Sequence, residues 1–426
     1  MIELFQIFFA FSVFFLISSV PLNIFNVNKN IQDKIFFPTY NIIINFNILL
    51  IISFFNLDIN FYAYVILFFY IFIFFLIYSK QNLIEIKKDT KLDIFILFFI
   101  FIILGLDIGS NLNLSWDARL FYLPKAMLFF EGGSVKYLQE VSGYEWHPHL
   151  FSYIWAFYWK MSYLKMEYFG RLIFLFFYLL SLLTLLNYFK FKNHIKILIL
   201  IFLIYTNYQY KNFSGGSEIL IISLLIICSI IIYEIYSKKK YYEVSNLIFL
   251  SLIFNLLLWT KTEGLIYIIF LMFLIFLSKV NISKKFYIII AVFFTIMIKI
   301  ILYKFYNLEI NPRKEIYEIR FLSKLNIYNA LETITTVTKY LIFYTLKNYC
   351  ILLSLLSIFF IKNKDSSKFL KIYLLFNFLL IYLIYLTYTF DVQWYVSSTL
   401  ERVMLSINGF VIIAQIIFVK QIIKNS

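Results

Sequence analysis

Very little of this chain is suited to water. Only 14% of its 426 residues are charged, while 62% are hydrophobic in runs that repeatedly reach the bilayer-spanning length of about 20 residues. A water-soluble globular fold is excluded. The paired cysteines of a disulfide framework and the Cys/His spacing of a zinc site are also missing. Cys228 and Cys350 both fall in or beside apolar runs. Residues 1–20 lack a basic n-region and a small-residue cleavage site, so they read as a retained first span. No internal repeat or low-complexity linker stands out, and there are only three histidines.

What is present is a series of continuous apolar stretches. In hydrocarbon every backbone N–H and C=O must be paired internally, which leaves helices or a closed barrel, and a barrel strand alternates where these runs do not. The expected fold is an all-α polytopic membrane protein of about thirteen transmembrane helices. The spans are placed near 3–20, 36–55, 59–78, 93–109, 168–189, 195–209, 217–237, 245–259, 264–278, 285–303, 338–361, 369–388 and 403–419. Three regions follow: an N-terminal four-helix membrane region (1–109), an extracytoplasmic loop with juxtamembrane helices (110–167), and a C-terminal membrane region (168–426) carrying an outer loop at 304–337.

The net charge of +15 would point to nucleic acid in a soluble protein. Here the lysines form short clusters in alternate connections: Lys29 and Lys34, Lys80 to Lys91, Lys190 to Lys196, Lys238 to Lys240, Lys279 to Lys285, and Lys362 to Lys371. By the positive-inside rule these connections are cytoplasmic, and no nucleic-acid partner is expected. Segment 147–167, counted as a span, would invert every later loop. It is therefore laid along the membrane as an interfacial helix rich in Trp and Tyr.

Ionisable groups near membrane depth cost about 2.5–3.5 kcal/mol each at the centre of a span. Those outside the lysine clusters therefore need a reason. Asp117, in SWDARLFYLPKAMLFFEGG, is either the N-cap of a short helix closed by Gly132 and Gly133 or a base for an acceptor hydroxyl. His147 and His149 flank Pro148, where an imidazole is either solvated or set to bond phosphate or sugar. Glu218 opens a helix, where the dipole alone would favour an acid. Lys261 and Glu263 break a long apolar stretch at Trp259-Thr260-Lys261-Thr262-Glu263-Gly264. All five arginines (Arg119, Arg171, Arg313, Arg320, Arg402) fall on the expected outer side, where a guanidinium suits bidentate phosphate binding. For Arg402 a plain pair with Glu401 is the alternative.

At these residues the sequence resembles the GT-C superfamily of polytopic glycosyltransferases, in particular bacterial members related to dolichyl- and polyprenyl-phosphate-mannose mannosyltransferases. The resemblance is carried by Trp116-Asp117-Ala118, Lys125-Ala126 with Gly132, His147-Pro148, Thr260 to Gly264, and Trp394 to Arg402, in that order. Tyr395 stands where the last pattern has His.

The resemblance implies a membrane enzyme that moves a sugar from a polyprenyl-phosphate-linked donor to a glycan, lipid or protein acceptor, with inversion, at the outer face of the cytoplasmic membrane. Asp117 would be the general base. Arg402, Lys261, His147, Lys125 and Glu263 would hold the donor, with Glu218 as second acid. Mg²⁺ or Mn²⁺ held by Asp117 and Glu218 is left open. A transporter or flippase, or a polymerase or ligase, for lipid-linked glycans is the competing reading.

Overall fold

The structure, a computed structural model, describes residues 2–19, 37–55, most of 59–72, 88–140, 147–208, 213–237, 244–308, 327–386 and 392–425, apart from Tyr163 and Lys279. The described residues are helical throughout, with no strand. In chain order the α-helices are α1 (Ile2–Ser19), α2 (Phe37–Ser53), α3 (Lys88–Ser110), α4 (Leu123–Phe130), α5 (Leu150–Lys160), α6 (Glu167–Tyr188), α7 (Asn193–Asn207) and α8 (Glu218–Ser237). They continue with α9 (Val244–Thr260), α10 (Gly264–Leu277), α11 (Ile282–Phe305), α12 (Ile327–Lys347), α13 (Tyr349–Phe360), α14 (Lys364–Leu386) and α15 (Val392–Asn425). A π-helical turn, Ala118–Tyr122, leads into α4, and a 3-10 turn, Val135–Glu140, follows it.

Seven of these helices, α1, α3, α6, α8, α11, α14 and α15, are long and apolar enough to cross a bilayer. The chain is a multi-pass membrane protein. At its centre lies α6, buried on every side from Tyr168 to Leu186, with α8 packed against it and α15 packed against α8. A helix apolar all round has this place inside a large protein. The α8–α15 crossing is close because Gly409 has no side chain: a Cβ there would lie 2.4 Å from the Ile222 carbonyl oxygen. Helix α11 sits at the periphery and leaves Phe293, Phe294, Ile298 and Ile301 exposed.

Five sequence expectations are corrected. The span at 338–361 is two helices, α12 and α13, meeting at 88°. Asn348 leaves helical geometry and caps α13, its side-chain oxygen accepting from the Ile351 N–H at 3.2 Å. The apolar run through it hides the break. The same α12 begins at Ile327, inside the stretch taken as an outer loop to 337. The last span, expected from 403, is one helix from Val392, so Trp394 to Arg402 lie on a helix and not in a loop.

The segment expected on the membrane surface is instead interior. Helix α5 is too short to cross, and Leu150 to Tyr158 are all buried, packed against α2, α4, α6 and α9. Lys196, counted among the topology lysines, is also inside. It is paired with Asp93 and donates to Asn187 Oδ1 at 3.0 Å. Asn187 in turn donates to Asp93 at 2.8 Å.

The chemistry-bearing residues collect at one end of the bundle. The turns of Lys190 to Lys192 and Lys362 to Lys364 lie at the other, where Lys420 reaches the Lys190 carbonyl at 3.4 Å and Gln421 accepts from the Lys362 N–H at 2.9 Å.

Candidate active site

The end of the bundle opposite those lysine turns is built from the segment after α3, the first turn of α8, the α9–α10 link and the middle of α15. Ser115 anchors the first of these. Its N–H donates to the Ser214 carbonyl at 2.9 Å, and its hydroxyl accepts from the Ala118 N–H at 3.3 Å. Ser115 therefore makes the capping bond that was one of the two readings of Asp117. Asp117 has helical backbone angles and makes no capping bond. Its carboxylate is free to turn toward α15, where it pairs with Arg402, 285 residues away in sequence.

The π-helical turn that follows is an uncommon form of helix, found often at functional sites. Beneath it, the Ser214–Gly215–Gly216–Ser217 turn comes close. Gly215 has φ +89°, and a Cβ on it would lie 2.8 Å from the Ala118 Cβ and from the Trp155 ring. Tyr122 and Ser217 then share a hydrogen bond of 2.7 Å across the two segments.

Glu218, the first residue of α8, is both a dipole-favoured acid and an ion-pair partner. Lys261 Nζ stands 3.0 Å from its Oε1 and 3.3 Å from Glu263. Lys261 is presented by the gap between α9 and α10. Gly264 permits that gap, since a Cβ there would collide with the Leu257 carbonyl oxygen at 1.9 Å. The end of α9 leaves carbonyls without helical partners. One of them, Leu258, accepts from Lys299 Nζ at 2.7 Å, and Lys299 also lies over the Trp259 ring at 5.2 Å. Lys299 escaped the sequence reading because one lysine is swamped in the hydropathy of α11.

These residues enclose a cavity of about 330 Å³ lined by Asp117, Glu218, Arg402, Glu401, Ser115 and Ser214, with Asn113, Leu114, Gly216 and Leu405 completing the wall. Of the expected site residues, Asp117, Glu218 and Arg402 line it directly, while Lys261 and Glu263 stand behind Glu218. Lys125 and His147 are elsewhere. Lys125 is buried and donates to the His147 carbonyl at 2.6 Å, and neither lines the cavity.

Burial first, and the Lys125 charge second, hold the His147 imidazole down to about 3. It is neutral at physiological pH, so it is not a cation for phosphate. His149, buried and also held down to about 3, is 2.8 Å from the Ser53 hydroxyl. Arg171 is structural: it is bidentate to Glu167 at 2.9 and 3.2 Å and donates to the Phe213 carbonyl at 3.2 Å. Arg119 is exposed, and Arg313, Arg320 and Glu145-Trp146 lie outside the described residues.

No family model, curated protein or solved structure matches this chain. Function must come from the site. Burial, and then the nearby Glu218 charge, raise the Asp117 carboxyl above its ordinary value of 3.8, outweighing the opposing pull of Arg402 and Lys261. A raised carboxyl is a better proton acceptor. The same cavity offers a guanidinium whose planar fork matches phosphate. It does not fit a divalent metal. The Asp117 and Glu218 carboxylates each already face a cation, and no group of three metal-ligating side chains occurs among the described residues. Glu401, the alternative partner for Arg402, pairs instead with Lys347 at 3.4 Å.

Proposed function

We propose that this protein is a GT-C-type membrane glycosyltransferase of about thirteen spans, moving a sugar from a polyprenyl-phosphate-linked donor to an acceptor hydroxyl at the extracytoplasmic face. The single observation that carries this reading is the meeting of Asp117 and Arg402 in one cavity. A half-buried carboxylate and a guanidinium, from segments 285 residues apart, face the same space.

The chemistry follows from that pairing. Donor phosphate competes with Asp117 for the Arg402 guanidinium and so frees the carboxylate. The acceptor hydroxyl oxygen attacks the anomeric carbon from the face opposite the phosphate and gives its proton to Asp117. The bond from anomeric carbon to phosphate oxygen breaks, and its electron pair leaves with the phosphate. Charge developing there is met by Arg402. The configuration inverts. Glu218 holds Lys261 in place rather than binding metal.

The test is release of labelled sugar from a polyprenyl-phosphate donor in proteoliposomes. The expected result is transfer that Asp117→Asn abolishes while the protein remains inserted and folded. Label that crosses the bilayer without leaving its lipid would identify a flippase instead, and turnover retained in Asp117→Asn would remove the base assignment.

A further inference from the structure

A second, much smaller cavity adjoins the first. It is lined by Tyr344, Lys347, Asn348, Glu401, Met404 and Leu405, and shares Glu401 and Leu405 with the main cavity. At about 10 Å³ it holds roughly one water molecule. It sits at the elbow where α12 turns by 88° into α13, and that elbow is a constructed feature. Asn348 and Asn408 exchange side-chain amide bonds at 3.1 and 3.3 Å, and Asn408 also reaches Asn207 at 3.4 Å, tying the elbow to α7 and α15.

Two consecutive residues of α15 face the two cavities differently: Arg402 turns to Asp117, and Glu401 turns to Lys347. The Lys347–Glu401 pair lines the smaller cavity, and Glu401 lines the larger one as well. With side chains 54% and 27% exposed at 3.4 Å, it is of the weakly held kind that opens readily. Around it Phe343, Leu346 and Tyr349 present bare apolar surface. A cation at the edge of such a surface suits an anionic headgroup on an apolar chain.

We propose that the Asn348 elbow is the lateral inlet through which a lipid phosphate reaches Arg402, with Lys347 receiving its phosphate as the Lys347–Glu401 pair opens. This rests on the transferase reading for what happens next, but the binding step stands apart from turnover.

The experiment is photolabelling of the full-length protein in nanodiscs by a polyisoprenyl monophosphate with a diazirine in its chain. Label is expected on the Tyr344–Tyr349 and Met404–Leu405 peptides. At subsaturating probe it should fall roughly tenfold in Lys347→Met, the loss of one charge-assisted contact, and be kept in Lys347→Arg. Excess inorganic phosphate should leave it unchanged. Equal labelling in Lys347→Met, label landing elsewhere, or full displacement by inorganic phosphate would overturn the inlet. Labelling that depends on Lys347 in a protein that never releases sugar would uphold the inlet and remove the transferase.

Discussion

Replacing Lys261 should damage the protein more than replacing either acid it holds, and the structure sets the size of the difference. Lys261 Nζ is 3.0 Å from Glu218 and 3.3 Å from Glu263, with side chains 15%, 9% and 39% exposed respectively. At an effective dielectric of about 20, unit charges about 3 Å apart attract by roughly 5 kcal/mol before desolvation is subtracted. Removing the cation leaves Glu218, 9% exposed, with only the cavity side and the more distant Arg402 to offset its charge, so the cost approaches that of breaking a buried pair, about 3–5 kcal/mol. Glu263, more exposed, can rehydrate.

Glu218→Gln leaves Lys261 its second acid, so the loss is nearer that of one charged hydrogen bond, about 1.5–3 kcal/mol. Lys261→Met should therefore be the worse single change. The double variant should be less damaged than the two singles added together, by up to about 3 kcal/mol. The assay is heat- or denaturant-induced unfolding in detergent for the wild type and three variants. An equal or greater loss in Glu218→Gln, or strict additivity, would refute the asymmetry and with it the role of Glu218 as the buried half of the pair.

The acidic limb of transfer should lie above that of an unperturbed aspartate, because Asp117 must be unprotonated to accept a proton and its carboxyl is raised. Neutralising Arg402 removes a lowering influence, so in Arg402→Gln the acidic limb of a pH–rate profile should move further up; a downward move would show that the pair does not set the titration. In the folding equilibrium the sign is opposite to that of a salt-bridged acid whose carboxyl is lowered. A raised carboxyl binds its proton more tightly when folded, so this group adds stability as pH falls through its folded value. Asp117→Asn should flatten that part of the stability profile. Gly409→Ala should cost about 1–3 kcal/mol by forcing α15 off the Ile222 carbonyl, read as a lowered unfolding temperature. Asn348→Ala removes the cap of α13 and both amide bonds to Asn408, so it should cost more than a cap alone, about 1 kcal/mol, while Asn348→Asp keeps the capping oxygen and loses the bond donated to Asn408.

The helical, membrane-spanning character was legible from the residues alone, because a long apolar run in hydrocarbon has to close its own backbone hydrogen bonds and only a helix does so within one segment. The kinds of side chain at the site, an acid after the segment leading from α3, an acid opening α8, and a lysine where an apolar stretch breaks, were legible for a related reason: such groups are too costly near a membrane to be placed without a partner. What the sequence carried no signal for was who the partners are. Asp117 could equally be read as a cap until Ser115 took that role, and a pair of Arg402 with its neighbour Glu401 stood as the alternative to a phosphate site. Adjacent residues on a helix point about 100° apart, so only the packing of α15 against its neighbours sends Arg402 to Asp117 and Glu401 to Lys347. His147 and Lys125 carried motif positions but fold onto each other away from the cavity, and α5 turned its Trp and Tyr inward. Composition determined the solvent and the helices; contact between segments hundreds of residues apart determined the site, since no local pattern encodes which buried charges meet.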